Sequence, residues 1–232
     1  MREGRAGWQF PATIGVLVLN VIVFGVQYFT DAFPSESPFN HYFALSLDGL
    51  KSGFLWQLLT YQFMHANLVH IFLNSWAIFV FGRVIERTLG ARRMLLLYFL
   101  SGVVGGGLQM LGTWLLPGLM NDIPVVGASA GAFGLIAAFA ALFPNQVLYM
   151  LLFYIIPIKM RAMTLLWLSV IISLIGIIYP YIDPFIPAGL GINHFFENIG
   201  HAAHLGGILT GYIFARLLIQ GGRSAPPANQ FY

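Results

Sequence analysis

The sequence predicts an all-α polytopic membrane protein: six transmembrane helices in one bundle, with a long first loop that lies partly in the membrane interface. Three observations predict it. Of 232 residues, 58% are hydrophobic and 8% charged, against about 25% charged in a soluble domain, so lipid must be the main solvent. Apolar runs of about 20 residues, enough to cross a hydrocarbon core of about 30 Å, recur between short polar connections. Basic and acidic residues also separate by side of the membrane. The net charge of +3 comes from 11 Lys and Arg that are not massed on one face, so it fits a topology signal rather than a nucleic-acid surface. Zero cysteines exclude disulfides, thiolate metal sites and a cysteine nucleophile.

In chain order, residues 1–8 are short and basic through Arg2 and Arg5, as suits a cytoplasmic amino terminus. Residues 10–29 form span one, and no small-residue cleavage site follows, so the run reads as a retained helix and not a signal peptide. The polar loop that follows (Asp31, Pro34, Glu36, Pro38, Asp48) leads into an amphipathic stretch at 54–63, whose Trp and Tyr place it in the membrane surface. Span two covers 67–85 and is closed by Arg83, Arg87, Arg92 and Arg93; span three, 94–116, is rich in glycine. Span four covers 128–143. Residues 146–156 are apolar but make only about 16 Å of helix, too little to cross, and are expected to be interfacial or re-entrant. Span five is 162–179, a Pro- and Gly-containing loop covers 181–197, and span six is 199–219. The membrane domain is thus expected to occupy 1–219, with 220–232 a disordered cytoplasmic tail.

Six spans place ten of the 11 basic residues inside, all but Lys51, and put Asp31, Glu36, Asp48, Asp122, Asp183 and Glu197 outside. Counting 146–156 as a seventh span would move Lys159 and Arg161 outside, so the charge asymmetry selects six, with both termini in the cytoplasm. No internal repeat is apparent, which weighs against an inverted-repeat transporter.

Polar and ionisable residues inside membrane helices are costly and usually mark function. Here they fall in three clusters: His65, His70 and Asn74 at the outer end of span two, Ser129 at that of span four, and Asn198, His201 and His204 at that of span six. Alternating span directions set all three at similar depth on the outer side. Gly127 to Gly131 matches the G-x-S-x-G nucleophile elbow of soluble hydrolases, but that motif needs a water-facing helix after it. Here the segment that follows is apolar on every face. Gly127, Gly131 and Gly134 instead recur at the spacing that lets membrane helices approach backbone to backbone, and Gly206, Gly207 and Gly211 offer a matching face. A histidine metal site competes, although H-E-x-x-H is absent. Histidines serving as helix-helix glue remain open for His65 and His201. His65 and His70 are five apart, about 140° around a continuous helix, so they would not share a site.

A serine needs a base to accept its proton, and its tetrahedral oxyanion needs donors. Ser129 begins a helix, His204 is the candidate base, and His70 with Asn74 supply side-chain donors. No carboxylate accompanies His204 in the expected geometry, so the pair is a dyad.

These pieces together resemble the rhomboid family of intramembrane serine proteases. The matching elements are Trp56-Gln57 with Phe63-x-His65-x4-His70-x3-Asn74, Gly82-x3-Glu86-x3-Gly90, Gly127-Ala128-Ser129, and His201-x2-His204-Leu205-Gly206-Gly207. The resemblance implies a six-helix rhomboid-like bundle, Ser129 as nucleophile, His204 as base, and an oxyanion and substrate-binding region at His70, Asn74 and Gly127. It implies no cofactor or metal, membrane-protein substrates within the bilayer, and a cell (plasma or inner) membrane location. Span five and the 181–197 loop would gate substrate entry. A silent relative that binds and escorts membrane helices is the alternative.

Two positions depart from the family pattern. Ala130 follows the serine where glycine is common, and its methyl is expected to narrow the site or shift the oxyanion hole. Gln57 replaces the usual arginine after Trp56, which is expected to remove a surface cation and alter lipid contact.

Overall fold

The computed structural model describes residues 10–30, 37–117, 123–152, 156–182 and 199–221. Among the described residues, five helices are long and apolar enough to cross a membrane: Pro11–Phe29, Leu68–Leu89, Ala91–Leu115, Ala162–Ile182 and His201–Gln220. A shorter apolar helix, Ser129–Leu142, stands with them. The 181–197 loop beyond Ile182, the amino terminus and the tail beyond Gly221 lie outside the described residues.

Helix α1 (Pro11–Phe29) opens with proline in its first turn, where the missing N–H would have had no helical partner. The first loop then folds into short pieces. Helices α2 (Pro38–Phe43) and α3 (Leu47–Lys51) are capped by Ser37 and Ser46, whose side chains accept the N–H of Asn40 and Gly49. Helix α4 (Gln57–Thr60) runs into a 3-10 turn, Tyr61–Phe63. Helix α5 (Leu68–Ala77) continues through one π turn, Ile78–Gly82, into α6 (Arg83–Leu89). Gly90 separates α6 from α7 (Ala91–Leu115) at a φ of +86°, a conformation only glycine adopts cheaply.

Helix α8 (Ser129–Leu142) is the centre of the bundle: all its residues except Ser129 and Phe133 are buried. A helix apolar on every face belongs inside other helices. It is flanked by α7, α9 (Ala162–Ile182) and α10 (His201–Gln220). The α8–α10 contact is backbone to backbone. A Cβ added at Gly207 would meet the Ala130 carbonyl, and one at Gly211 the Gly134 carbonyl. On the other side, Gly131 faces the Tyr98 ring and Gly134 faces Ser101 of α7. Gly131, Gly134, Gly207 and Gly211, read as packing faces, therefore do pack at the close range that side chains would forbid, whereas Gly127 precedes α8 and faces the His70 ring.

At the opposite end of the bundle, a buried carboxylate ties α6 to α1. Glu86 Oε1 accepts the Ala12 N–H at 2.9 Å, and Oε2 accepts both the Thr13 N–H and hydroxyl at 2.7 Å. These are charge-assisted bonds at a helix N-terminus, where free N–H groups and the helix dipole favour an anion.

The segment after α8 corrects the all-helical expectation. Where a short interfacial or re-entrant helix is expected over 146–156, the described residues on either side of 153–155 pair as an antiparallel hairpin, β1 (Val147–Leu152) with β2 (Ile156–Arg161). Its base is held by the Ala162 N–H on the Gln146 carbonyl (2.9 Å) and the Met163 N–H on the Pro144 carbonyl (3.3 Å). Tyr149 and Lys159 are cross-strand partners, and the ammonium lies 5.9 Å from the ring centre. Pro157 is tolerated in β2 because a two-stranded sheet consists only of edges.

Candidate active site

Ser129 and His204 come together because two helices start at the same level. Ser129 is the first residue of α8 and His204 lies in the first turn of α10. The glycine seam below them holds the helices close, and His204 Nε2 is 2.9 Å from Ser129 Oγ, between residues 75 apart in sequence. The His204 ring packs against Phe133 of α8 (centroids 4.4 Å apart) and meets the His201 ring edge to face (5.9 Å). Glu197 lies outside the described residues.

Gln109 of α7 is a contributor that sequence reasoning missed. Its Oε1 accepts the N–H groups of Ala202 and Ala203 at 3.1 and 3.3 Å, satisfying donors at the start of α10 just before His204. The available signal was a single amide in an otherwise apolar, glycine-rich span.

Two further donors converge on Gly127. Asn67 caps α5 by accepting the His70 N–H at 2.9 Å. The His70 ring then accepts the Ala66 N–H at Nδ1, 3.4 Å. A neutral imidazole that accepts at Nδ1 carries its proton on Nε2, so Nε2 is a donor. That Nε2 lies 2.7 Å from where a Gly127 Cβ would stand, and Asn74 Nδ2 lies 3.6 Å from the same point. Asn74 is buried, and its Nδ2 has no hydrogen-bond partner among the described residues. Gly127 itself has a φ of +132° and donates its N–H to the Tyr61 carbonyl at 2.9 Å. Glycine is thus required there twice, for the backbone conformation and for the space. All five residues singled out from the sequence lie in this one region, with two N–H donors set two residues before the Ser129 hydroxyl.

Three sequence expectations change here. His65 is not inside a continuous helix with His70, because α5 begins at Leu68. The two rings meet edge to face, 5.2 Å apart. Burial, reinforced by neighbouring His70 and only partly offset by the Phe63 carbonyl, pushes the His65 pKa down to about 3, so its ring is neutral. Gln57 does not substitute for a surface cation: it is fully buried, accepting the Ser46 N–H (3.2 Å) and donating to the His41 carbonyl (2.9 Å). Trp56, half exposed beside it, donates to the Tyr42 carbonyl at 2.8 Å. Ala130 does not narrow the site either. Its methyl faces Gly105 of α7, where a Cβ would stand 2.8 Å away, so the residue fills the helix seam.

Among the described residues, no group of three His, Asp or Glu is arranged to hold a metal ion. A family model described as "Rhomboid domain" matches residues 52–221. The chain is 32% identical over 174 residues to "Putative rhomboid protease YdcA" of Bacillus subtilis (strain 168), covering 74% of this chain and 71% of that one. It is 27% identical over 169 residues to "Rhomboid protease GluP" of the same organism, covering 73% of this chain and 27% of that one. It is also 29% identical over 158 residues to "Inactive RHOMBOID-like protein 8" of Arabidopsis thaliana, covering 67% of this chain and 41% of that one. The chain therefore spans most of the first relative's length and less than half of the other two.

Proposed function

The chain belongs to the rhomboid family, and from that premise we propose that it is an intramembrane serine endopeptidase. It would hydrolyse peptide bonds in or near the transmembrane segments of other membrane proteins. The observation that carries the reading is the 2.9 Å contact between Ser129 Oγ and His204 Nε2, with the donors of His70 and Asn74 beside it. A family with both active and inactive members needs such site-level support, since a fold does not specify an activity.

Ser129 Oγ attacks the scissile carbonyl carbon while His204 Nε2 takes the hydroxyl proton. The carbonyl oxygen gains the negative charge and is held by the His70 Nε2–H and the Asn74 Nδ2–H. Collapse of the tetrahedral intermediate breaks the C–N bond, and the imidazolium returns its proton to the leaving amine. Water, deprotonated by His204, then cleaves the ester and regenerates Ser129. The positive end of α8 favours the developing anion. No step needs a metal or cofactor.

The bilayer excludes bulk water from the spans, so substrates would be single-pass or multi-pass membrane proteins meeting the site from within the membrane. The similarity to a Bacillus subtilis relative supports a cell membrane location, and the distribution of Lys and Arg is the ground for putting both termini in the cytoplasm.

Labelling with a serine-directed fluorophosphonate in detergent or liposomes tests this reading. Wild type should label at Ser129 and cleave a model membrane substrate. Ser129→Ala and His204→Ala should each remain folded and do neither. A folded wild-type protein that neither labels nor cleaves would instead support a protein that binds and escorts membrane helices.

A further inference from the structure

A hydrogen-bond path runs from α1 to His70. Gln27, in the last turns of α1, is 2% exposed, and its side-chain amide bonds both backbone groups of His65. Its Oε1 accepts the His65 N–H at 2.9 Å, and its Nε2 donates to the His65 carbonyl at 3.3 Å. That carbonyl is one end of the His65–Ala66 peptide group. The N–H at the other end of the same group donates to Nδ1 of His70 at 3.4 Å. A peptide group is planar and stiff, so fixing its carbonyl fixes the direction of its N–H. A donor on the carbonyl also polarises the group and strengthens the bond its N–H makes.

Which ring nitrogen of a neutral histidine carries the proton is set by the partner of the other. With an N–H aimed at Nδ1, the proton sits on Nε2, the atom that faces Gly127. Were the Ala66 N–H to turn away, the opposite tautomer would become accessible. That tautomer presents a lone pair to the space over Gly127, which repels an oxyanion where the first tautomer binds it.

We propose that Gln27 is a positioning residue: through the His65–Ala66 peptide it holds His70 in the tautomer that donates from Nε2. The catalytic part of this inference rests on the reading of His70 as an oxyanion donor. A plainer role for Gln27 is to satisfy buried loop backbone, and that role would move stability without moving the tautomer.

The test compares wild type, Gln27→Leu and Gln27→Glu as full-length protein with 15N-labelled histidine, above the pH at which histidines protonate. The six histidines are assigned by single substitution. In wild type, His70 should show a protonated Nε2 and a bare Nδ1. In Gln27→Leu the two shifts should move toward each other as the tautomers mix, while those of His201 stay fixed. Gln27→Glu keeps an acceptor for the His65 N–H but loses the donor to its carbonyl. It should mix the tautomers too, and it serves if the leucine variant does not fold.

In cleavage assays, Gln27→Leu should lower kcat by roughly 10-fold with little change in KM, as a small misplacement of a transition-state donor does. Adding Gln27→Leu to His70→Ala should cost nothing further, because the residue acts through His70. Unchanged His70 shifts, a rise in KM alone, or losses that multiply in the double variant would each overturn the proposal. If wild type neither labels nor cleaves, the protease reading fails, and the nitrogen shifts still decide whether Gln27 controls the tautomer.

Discussion

The proposed oxyanion hole is a demand on individual hydrogen atoms, which His70 and Asn74 would meet in different ways. His70 has its ring nitrogen roles set by the Ala66 N–H, whereas Asn74 has a buried amide with an unpartnered Nδ2. Replacing either with an apolar residue should lower turnover by about 10²–10³-fold, the usual loss for one such donor, while leaving KM nearly unchanged. A raised KM at unchanged kcat would mean these residues hold substrate instead. His65 offers a pH test. Its folded pKa of about 3 lies below the ordinary 6.5, so below that ordinary value the unfolded chain binds a proton that the fold refuses. Its contribution to stability is complete above about pH 6.5 and is lost progressively as pH falls toward 3. Thermal midpoints in detergent should drop between about pH 7 and pH 4.5, and His65→Asn should flatten that slope. A wild-type slope matched by His65→Asn would show that other groups carry the acid sensitivity. Four residues of the proposed site, Ser129, His204, His70 and Asn74, were legible from the sequence because polar atoms in apolar spans stand out, and Gly127 was legible from its place two before the serine. Gln27 and Gln109 were not, because a lone amide carries no spacing pattern and its partners are backbone groups far along the chain.

Helices here are placed by contacts at their ends as much as by their apolar faces. The Glu86 clamp on α1 is the clearest case: one carboxylate takes three donors in a site that is 5% exposed. A hydrogen bond to a charged group contributes about 1.5–3 kcal/mol. Glu86→Leu should therefore cost at least ~3 kcal/mol of stability and leave buried donors unpaired, with Glu86→Gln costing less. Since the clamp joins α6 to the start of α1, away from Ser129, the folded fraction of either variant should label with fluorophosphonate as wild type does. Denaturation in mixed micelles, read together with labelling, checks both halves. Equal stability of Glu86→Leu and wild type would show that α1 is held by packing alone. The sequence displayed Glu86 in its glycine-flanked motif without its partner, because the contact spans 74 and 73 residues to Ala12 and Thr13. The hairpin β1–β2 was hidden for a different reason. A short apolar run reads the same as helix or strand by periodicity, and Phe153-Tyr154-Ile155 gives no turn signal between the strands.

The dimensions of the whole bundle bear on which bonds the proposed protease would cut. Helix α8 has 14 residues, so it is about 21 Å long against a hydrocarbon core of about 30 Å. If its Leu142 end stands at the inner boundary, where the hairpin begins, Ser129 lies roughly 10 Å below the opposite surface. A helix presented at that depth keeps its carbonyls in internal hydrogen bonds, so the bond to be cut must first leave the helix. Substrates with Gly, Pro or other weak helix formers in the outer third of the span should be cut there, with a small residue before the cut. Rewriting that outer third with Ala and Leu should slow cleavage. Ala130→Gly should not broaden tolerance for larger residues, because the methyl it removes faces Gly105 and not the site. That variant should loosen the α7–α8 seam and lower stability instead. Mass spectrometry of the products locates the cut. Moving the Gly-Pro segment by one helical turn, about 5.4 Å, should abolish cleavage or shift the cut only as far as the serine can still reach. A cut in the extramembrane juncture, indifferent to the helicity of the outer third, would place selection in a docking surface away from Ser129 and separate substrate choice from the depth of the dyad.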